Sequence, residues 1–198
     1  MRVFNFAAGP ATLPLPVLEK AQKELLEYGS SGMSVMEMTH RGPDFSEIIA
    51  ESKSSLRRLL SLPESYDILY CQGGASQQFA MVPMNLMKTG KADYAATGSF
   101  AKKAAQEGAI YGDVKKVSDS SDRNFSYIPK VDPSRLDQDA SYLHITTNTT
   151  LYGTSYRNNL PETGSIPLVA DMSSDILSQV IDVTRFGLIY AGAQKNIG

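Results

Sequence analysis

At 198 residues with 42% hydrophobic side chains, the chain is long enough to bury the core of one large domain or two small ones. Nineteen basic against twenty-one acidic side chains leave a net charge of -2, which excludes the basic stripe that gives nucleic acid its foothold. The single cysteine, Cys71, has no C-x-x-C neighbour, so neither an internal disulfide nor a zinc or redox motif can be built on it, no metal site is expected, and a reducing, cytoplasmic setting is the default.

The N-terminal M-R-V-F-N-F-A-A-G-P has too short an apolar run for a signal peptide, and no apolar stretch reaches membrane-spanning length. Residues 1 to 16, rich in proline, read as extended. They hand over to a helix whose apolar residues Leu18, Ala21, Leu25 and Tyr28 follow three-and-four spacing and which the run from Gly29 to Gly32 ends. The segment S-V-M-E-M-T-H-R-G-P reads as a loop. A second helix follows, with Asp44 as its cap, Glu47 three residues on, an apolar face of Phe45, Ile48, Ile49, Leu56 and Leu59, and Pro63 as its stop.

From here strands and helices alternate. Tyr66 to Cys71 is a β-prone run, Gly73 and Gly74 make a turn, and Ala75 to Met87 can form an apolar helix that Pro83 kinks. Ala92 to Thr97 reads as a strand, Phe100 to Glu107 as a helix and Lys115 to Val117 as a short strand, with residues 118 to 139 loop-like. Ser141 to Thr146, Ile166 to Ala170 and Phe186 to Ala191 supply further apolar runs of strand length. Such alternation predicts an α/β fold with a mostly parallel sheet flanked by helices, and ligands in such sheets bind at the carboxyl ends of strands. The sequence stops at A-Q-K-N-I-G, directly after an apolar run and with no closing helix, as an interrupted chain would.

Four places carry residue types suited to chemistry. In C-Q-G-G-A-S-Q-Q-F, two glycines lie between a strand-like run and a helix; free N–H groups at a helix opening, with the Ser76 hydroxyl, suit a phosphate, although Gly-Gly before a helix is also a plain turn. Lys195 follows an apolar strand among small residues, which suits an amine held partly out of water, or a lysine that merely ends a strand. Asp171 ends L-V-A-D and can cap the Ser173-Ser174 segment or partner a ligand cation. Arg41, beside His40, can fork onto a phosphate or carboxylate or pair with Asp44 at the surface. Pyridoxal phosphate asks for three partners, one each for a phosphate, a pyridine nitrogen and an aldehyde, and the chain offers one group for each.

The motifs F-N-F-A-A-G-P-A-T-L-P, S-V-M-E-M-T-H-R-G, G-G-A-S-Q-Q-F, T-G-S-F-A-K-K-A and I-D-V-T-R-F-G-L-I-Y-A-G-A-Q-K-N-I-G together resemble the phosphoserine aminotransferase family, in the class-V group of fold-type-I pyridoxal-phosphate enzymes. They occur in the family's order and span the whole chain; the last is highly specific and the Gly-Gly motif least so. The resemblance implies the large domain of fold-type-I enzymes over residues 16–198, after an extended segment over 1–15, with the C-terminal domain missing. It implies that Lys195 carries pyridoxal 5'-phosphate as a Schiff base and shuttles the substrate's proton, that Asp171 pairs with the pyridine nitrogen, and that Ala75 (through its N–H), Ser76 and Gln194 hold the cofactor phosphate. Thr150 would lie near the ring hydroxyl. Phe100 falls where the family usually has a tryptophan stacked on the ring, leaving a smaller aromatic face. Arg41, with His40 nearby, would hold the substrate's anionic end.

The implied reaction interconverts O-phospho-L-serine and 2-oxoglutarate with 3-phosphooxypyruvate and L-glutamate, in serine and, through a phosphothreonine-derived relative, pyridoxine biosynthesis. The implied enzyme is a cytoplasmic homodimer acting on small molecules, with no nucleic-acid or membrane partner. The competing readings are a folded fragment that at most binds the cofactor, and another class-V enzyme such as a small-amino-acid transaminase or cysteine desulfurase.

Overall fold

The computed structural model describes residues 2–157 and 159–197; Met1, Asn158 and Gly198, the last closing the final family motif, lie outside them. The chain falls into two compact units that meet in sequence at Leu69 and Tyr70.

In the first unit, residues 2–14 form no regular structure, and α1 spans Leu15–Glu24. The apolar row predicted to run to Tyr28 stops short. Tyr28 N–H donates to the Met33 carbonyl at 2.9 Å and Ser31 N–H to the Tyr28 carbonyl at 3.0 Å, so the glycine-serine turn claims these groups before the helix can. The predicted loop contains a single 3₁₀ turn, Val35–Glu37, closed by a capping box: Ser34 Oγ accepts from Met36 N–H, while Glu37 accepts from Ser34 N–H. The second helix, α2, spans Pro43–Leu60. Asp44 is not its cap. Gly42 holds that position and Pro43 opens the helix two residues earlier than a cap at Asp44 would, since its fixed φ suits the first helical residue and its missing N–H costs nothing there. Asp44 instead lies in the first turn, where its charge favours the helix dipole. Ser61, with φ +50°, ends the helix ahead of Pro63.

The second unit is built on a five-stranded parallel sheet. Helix α3 (Gly74–Leu86), containing Pro83, precedes β1 (Lys91–Ala96); α4 (Ser99–Gly108) leads to β2 (Asp113–Asp119), and β3 (Leu143–Thr146), β6 (Leu168–Asp171) and β7 (Leu188–Tyr190) follow after irregular stretches. Between β3 and β6 a small antiparallel hairpin pairs β4 (Asn148–Thr149) with β5 (Thr154–Ser155). The sheet order is β2-β1-β3-β6-β7, so the chain leaves β1 for β2 on one side and returns to lay β3 on the other. The β-prone run 66–71 joins no sheet. Its first carbonyl, on Tyr66, accepts from the Arg57 guanidinium at 2.6 Å, and the left-handed Gly73 and Gly74 open α3 directly behind it.

Alternation sorts the strands' side chains onto two faces. Tyr94, Tyr142, Val169 and Tyr190 face α3 and α4 with Phe79, Val82 and Ala104, while Leu143, Ile145, Leu168 and Ala170 pack with Val131, Leu136, Tyr156 and Phe186 from irregular segments. The helix-covered face carries a layer of polar rings. Tyr94 and Tyr142 share a hydroxyl hydrogen bond of 2.7 Å, His144 stacks on Tyr94 at 5.0 Å, and His144 Nε2 bonds the Tyr190 hydroxyl at 2.9 Å. At the strands' amino ends, Lys91 pairs with Asp137 at 3.5 Å and Asp139 at 3.4 Å, and Thr89 N–H donates to Ser141 Oγ at 3.0 Å. No described helix is long and apolar enough to cross a membrane.

Two measurements check this packing. A Cβ added at Gly108 would stand 2.5 Å from the Tyr94 hydroxyl and 2.9 Å from Tyr94 Cζ, and Tyr94 is held by Tyr142, so Gly108→Ala is expected to cost about 1–3 kcal/mol in denaturant unfolding. Burial pushes His144 down to about 3. The unfolded chain therefore takes up a proton near pH 6.5 that the folded chain refuses, and stability should fall as pH drops from about 6.5 toward 3, by up to about 1.4 kcal/mol per pH unit from this group. His144→Gln should flatten that slope by about one proton.

Candidate active site

The ends of β3, β6 and β7 lie side by side, with Thr146 opposite Asp171 and Asp171 opposite Tyr190. Beyond them opens a cavity of about 310 Å³, in the range of small-molecule sites. It lies at the carboxyl edge of the sheet, where parallel α/β folds place ligands. Its walls come from the opening of α3, from Phe100 on α4, from Thr146, Asn148 and Thr150, from the Asp171–Ser174 segment and from Gly192–Lys195.

Asp171 is 4% exposed. Burial pushes its carboxyl above the usual range, while hydrogen bonds from Ser173 and the positive charge of Lys195 pull it back. Ser173 N–H and Ser173 Oγ–H both donate to Oδ1, at 2.9 and 2.6 Å. Asp171 thus caps the following turn with one oxygen and leaves Oδ2 for another donor. The capping role weighed from sequence is the one these bonds make. Its backbone carbonyl accepts from Thr147 N–H at 3.0 Å, fixing the strand end from behind.

Lys195, half-buried, donates from Nζ to Thr150 Oγ1 at 2.6 Å. Thr150 sits in the turn of the β4–β5 hairpin, which is seated on the opening of α4. A Cβ at Gly98 would lie 3.0 Å from Thr149 Cγ2, Tyr152 and Ser99 share a hydroxyl hydrogen bond of 2.9 Å, and the Tyr152 ring packs at 4.8 Å on Phe125. The same α4 turn carries Phe100, 40% exposed and with Lys103 Nζ 5.7 Å from its ring centre.

At α3 the turn depends on glycine. Gly73 adopts φ +84°, and a Cβ there would collide with the Gln77 side chain. Ala75 and Ser76 follow in the first helical turn, where N–H groups have no carbonyl four residues back. Free donors, the helix dipole and the Ser76 hydroxyl make this corner receptive to an anion.

The second unit therefore gathers Ala75, Ser76, Phe100, Thr150, Asp171, Gln194 and Lys195 around one cavity. His40 and Arg41 belong to the first unit, in the turn before α2. Both side chains are exposed there, and Arg41 makes no ion pair with Asp44 among the described residues. Sequence reasoning left out Asn148, which bonds Ser174 at the cavity wall at 2.8 Å, and it treated Ser173 and Ser174 only as a segment to be capped. The Asp-x-Ser spacing is the signal that could have marked Ser173, since an aspartate commonly accepts from the residue two positions on.

The chain is similar to known proteins in sequence and in fold. A phosphoserine aminotransferase of Bacillus cereus is 55% identical over 198 residues, all of this chain and 55% of the relative. The solved structure of phosphoserine aminotransferase from Bacillus circulans subsp. alkalophilus superposes with a TM-score of 0.93 at 48% identity, over 100% of this chain and 55% of that one. A PLP-bound phosphoserine aminotransferase from Trichomonas vaginalis gives 0.88 at 36%, again over 100% and 55%. The chain spans about half the length of the curated relatives it matches. The family model described as aminotransferase class-V matches residues 3–198, and the chain belongs to that family.

Proposed function

We propose that this chain is the cofactor-binding part of an enzyme that uses pyridoxal 5'-phosphate to move an amino group between O-phospho-L-serine and 2-oxoglutarate, giving 3-phosphooxypyruvate and L-glutamate. The observation that carries the reading is the convergence of an amine, a buried carboxylate and a helix opening on one cavity of about 310 Å³. These groups fit the cofactor: Lys195 for the aldehyde, Oδ2 of Asp171 as acceptor for the ring nitrogen's proton, and the α3 opening with Ser76 for the phosphate. When bound, the cofactor supplies an aldehyde that takes up amino groups and a ring that draws electrons from the substrate's α-carbon.

The residues divide the remaining work. Lys195 would hold the cofactor covalently at rest and, once displaced by the substrate's amine, take the α-proton and return it on the other side of the transfer. Thr150, which already accepts from Lys195 Nζ, would steady that amine and reach the ring hydroxyl. Asp171 would keep a proton on the ring nitrogen; burial alone works against its charged form, and the Ser173 hydrogen bonds together with a positive partner, whose attraction is stronger out of water, work for it. Phe100 would lie against the ring, while Ala75 N–H, Ser76 and Gln194 would take the phosphate. Arg41 and His40, exposed and chemically suited to an anion, would hold the substrate's charged end.

The same proposal assigns an extended segment over 1–15 and a cofactor-binding domain over 16–198, and it places turnover in the full-length protein, as a homodimer. Serine biosynthesis is the assigned role, with the phosphothreonine-derived substrate of pyridoxine synthesis as the related one. Cys71, an exposed free thiol, is compatible with a reducing cytoplasm.

In the full-length protein, borohydride should bleach the visible absorbance and leave a cofactor tag on Lys195. Lys195→Ala should carry none, and a tag trapped at another lysine would sink the assignment. Arg41→Ala should raise the KM for phosphoserine by about tenfold or more while the cofactor stays bound; an unchanged KM removes Arg41 from the site.

A further inference from the structure

Ser173 touches both the Asp171 carboxylate and the strap that carries Lys195. Ser173 Oγ–H donates to Asp171 Oδ1 at 2.6 Å, and the same oxygen atom of Ser173 accepts from Gly192 N–H at 2.9 Å. Gly192 stands three residues before Lys195 on the strap that follows β7. The strap has little room there: a Cβ at Gly192 would lie 3.4 Å from Ala75 N and 3.7 Å from Ser173 Oγ. One hydroxyl thus joins the Asp171 carboxylate at the end of β6 to the strap, while using its single proton on the carboxylate.

We infer that Ser173 is a positioning residue, whose hydroxyl orients the Asp171 carboxylate and ties it to the Gly192–Lys195 strap, so that the partner of the ring nitrogen and the amine are held at a set spacing. This rests on reading the cavity as a pyridoxal-phosphate site. Donation from the hydroxyl favours the charged form of Asp171. The other titratable groups facing that carboxylate are Lys195 on the strap, Tyr190 on β7 and Asp175 in the turn after β6. A substitution at Ser173 removes none of the three.

The test compares Ser173→Ala, which removes the hydroxyl, with Ser173→Thr, which keeps it, in the full-length protein loaded with pyridoxal phosphate. Retained cofactor is read by visible absorbance after buffer exchange across a pH series, and its attachment by borohydride tagging of Lys195. Without the hydroxyl, Asp171 should protonate at higher pH, and a neutral carboxyl cannot hold a protonated ring nitrogen. The acid limb of retention should therefore move upward by about one pH unit in Ser173→Ala and stay near the wild-type position in Ser173→Thr.

An unmoved limb in Ser173→Ala, a loss of retention equal at every pH, or equal shifts in both variants would overturn the inference. If Ser173→Ala does not fold, Ser173→Gly takes its place; loss of folding in both assigns the hydroxyl to stability alone and likewise overturns it. Wild-type protein that retains no reducible cofactor on Lys195 overturns the reading of the cavity itself, and the inference with it.

Discussion

A carboxylate at the floor of a cavity loses most of its hydration, and at Asp171 the surrounding chain returns part of it in fixed form. Two donors from Ser173 converge on one oxygen, and the charge of Lys195 acts from across the cavity. Neither donor depends on water, so the charge is held in one orientation rather than averaged over many. The arrangement requires that β6 end at one register against β3 and β7, since a slip of one residue would turn Asp171 to the opposite face. The Thr146–Asp171 and Asp171–Tyr190 pairings are therefore the alignment on which the site is built.

Beneath that alignment the sheet carries polar rings where an aliphatic layer would have served for burial alone. The Tyr94–Tyr142 bond ties β1 to the residue that leads into β3, and the His144–Tyr190 bond reaches across β6 to tie β3 to β7, which no backbone ladder joins directly. Among the described residues His144 Nδ1 has no hydrogen-bond partner, and an unsatisfied buried nitrogen is costly. Directional bonds in a buried layer restrict the strands to one lateral arrangement more tightly than interchangeable methyl groups would.

The alternation of elements in the second unit could be read directly, because its strands are short apolar runs bounded by turn residues. Lys91–Ala96, Leu143–Thr146, Leu168–Asp171 and Leu188–Tyr190 lie within one or two residues of where the pattern placed them. The run 66–71 shows the limit of that signal: Ile68, Leu69 and Tyr70 favour a pleat, but pairing depends on neighbours elsewhere in the chain. Leu69 is 78% exposed. The β4–β5 hairpin was invisible for the opposite reason, since threonine and asparagine in T-N-T-T-L-Y-G carry no apolar alternation and the turn is secured by hydroxyl contacts to α4. Asp171, Lys195 and the glycine pair were each ambiguous alone; they became a site through motif order, and the cavity then brought together seven residues named from sequence. The Lys195–Thr150 bond and the Ser173 bridge were not legible, because both join segments whose spacing is set only by the fold.

All five strands run the same way, and this gives the second unit two unlike ends. Everything suited to chemistry hangs from the carboxyl edge, while the Lys91 ion pairs and the Thr89–Ser141 bond secure the amino edge. Substitutions at the far edge can be expected to move the melting temperature and leave the cavity's shape alone, and those around the cavity to do the reverse. Such a molecule can drift toward heat tolerance at one pole while its chemistry is selected at the other.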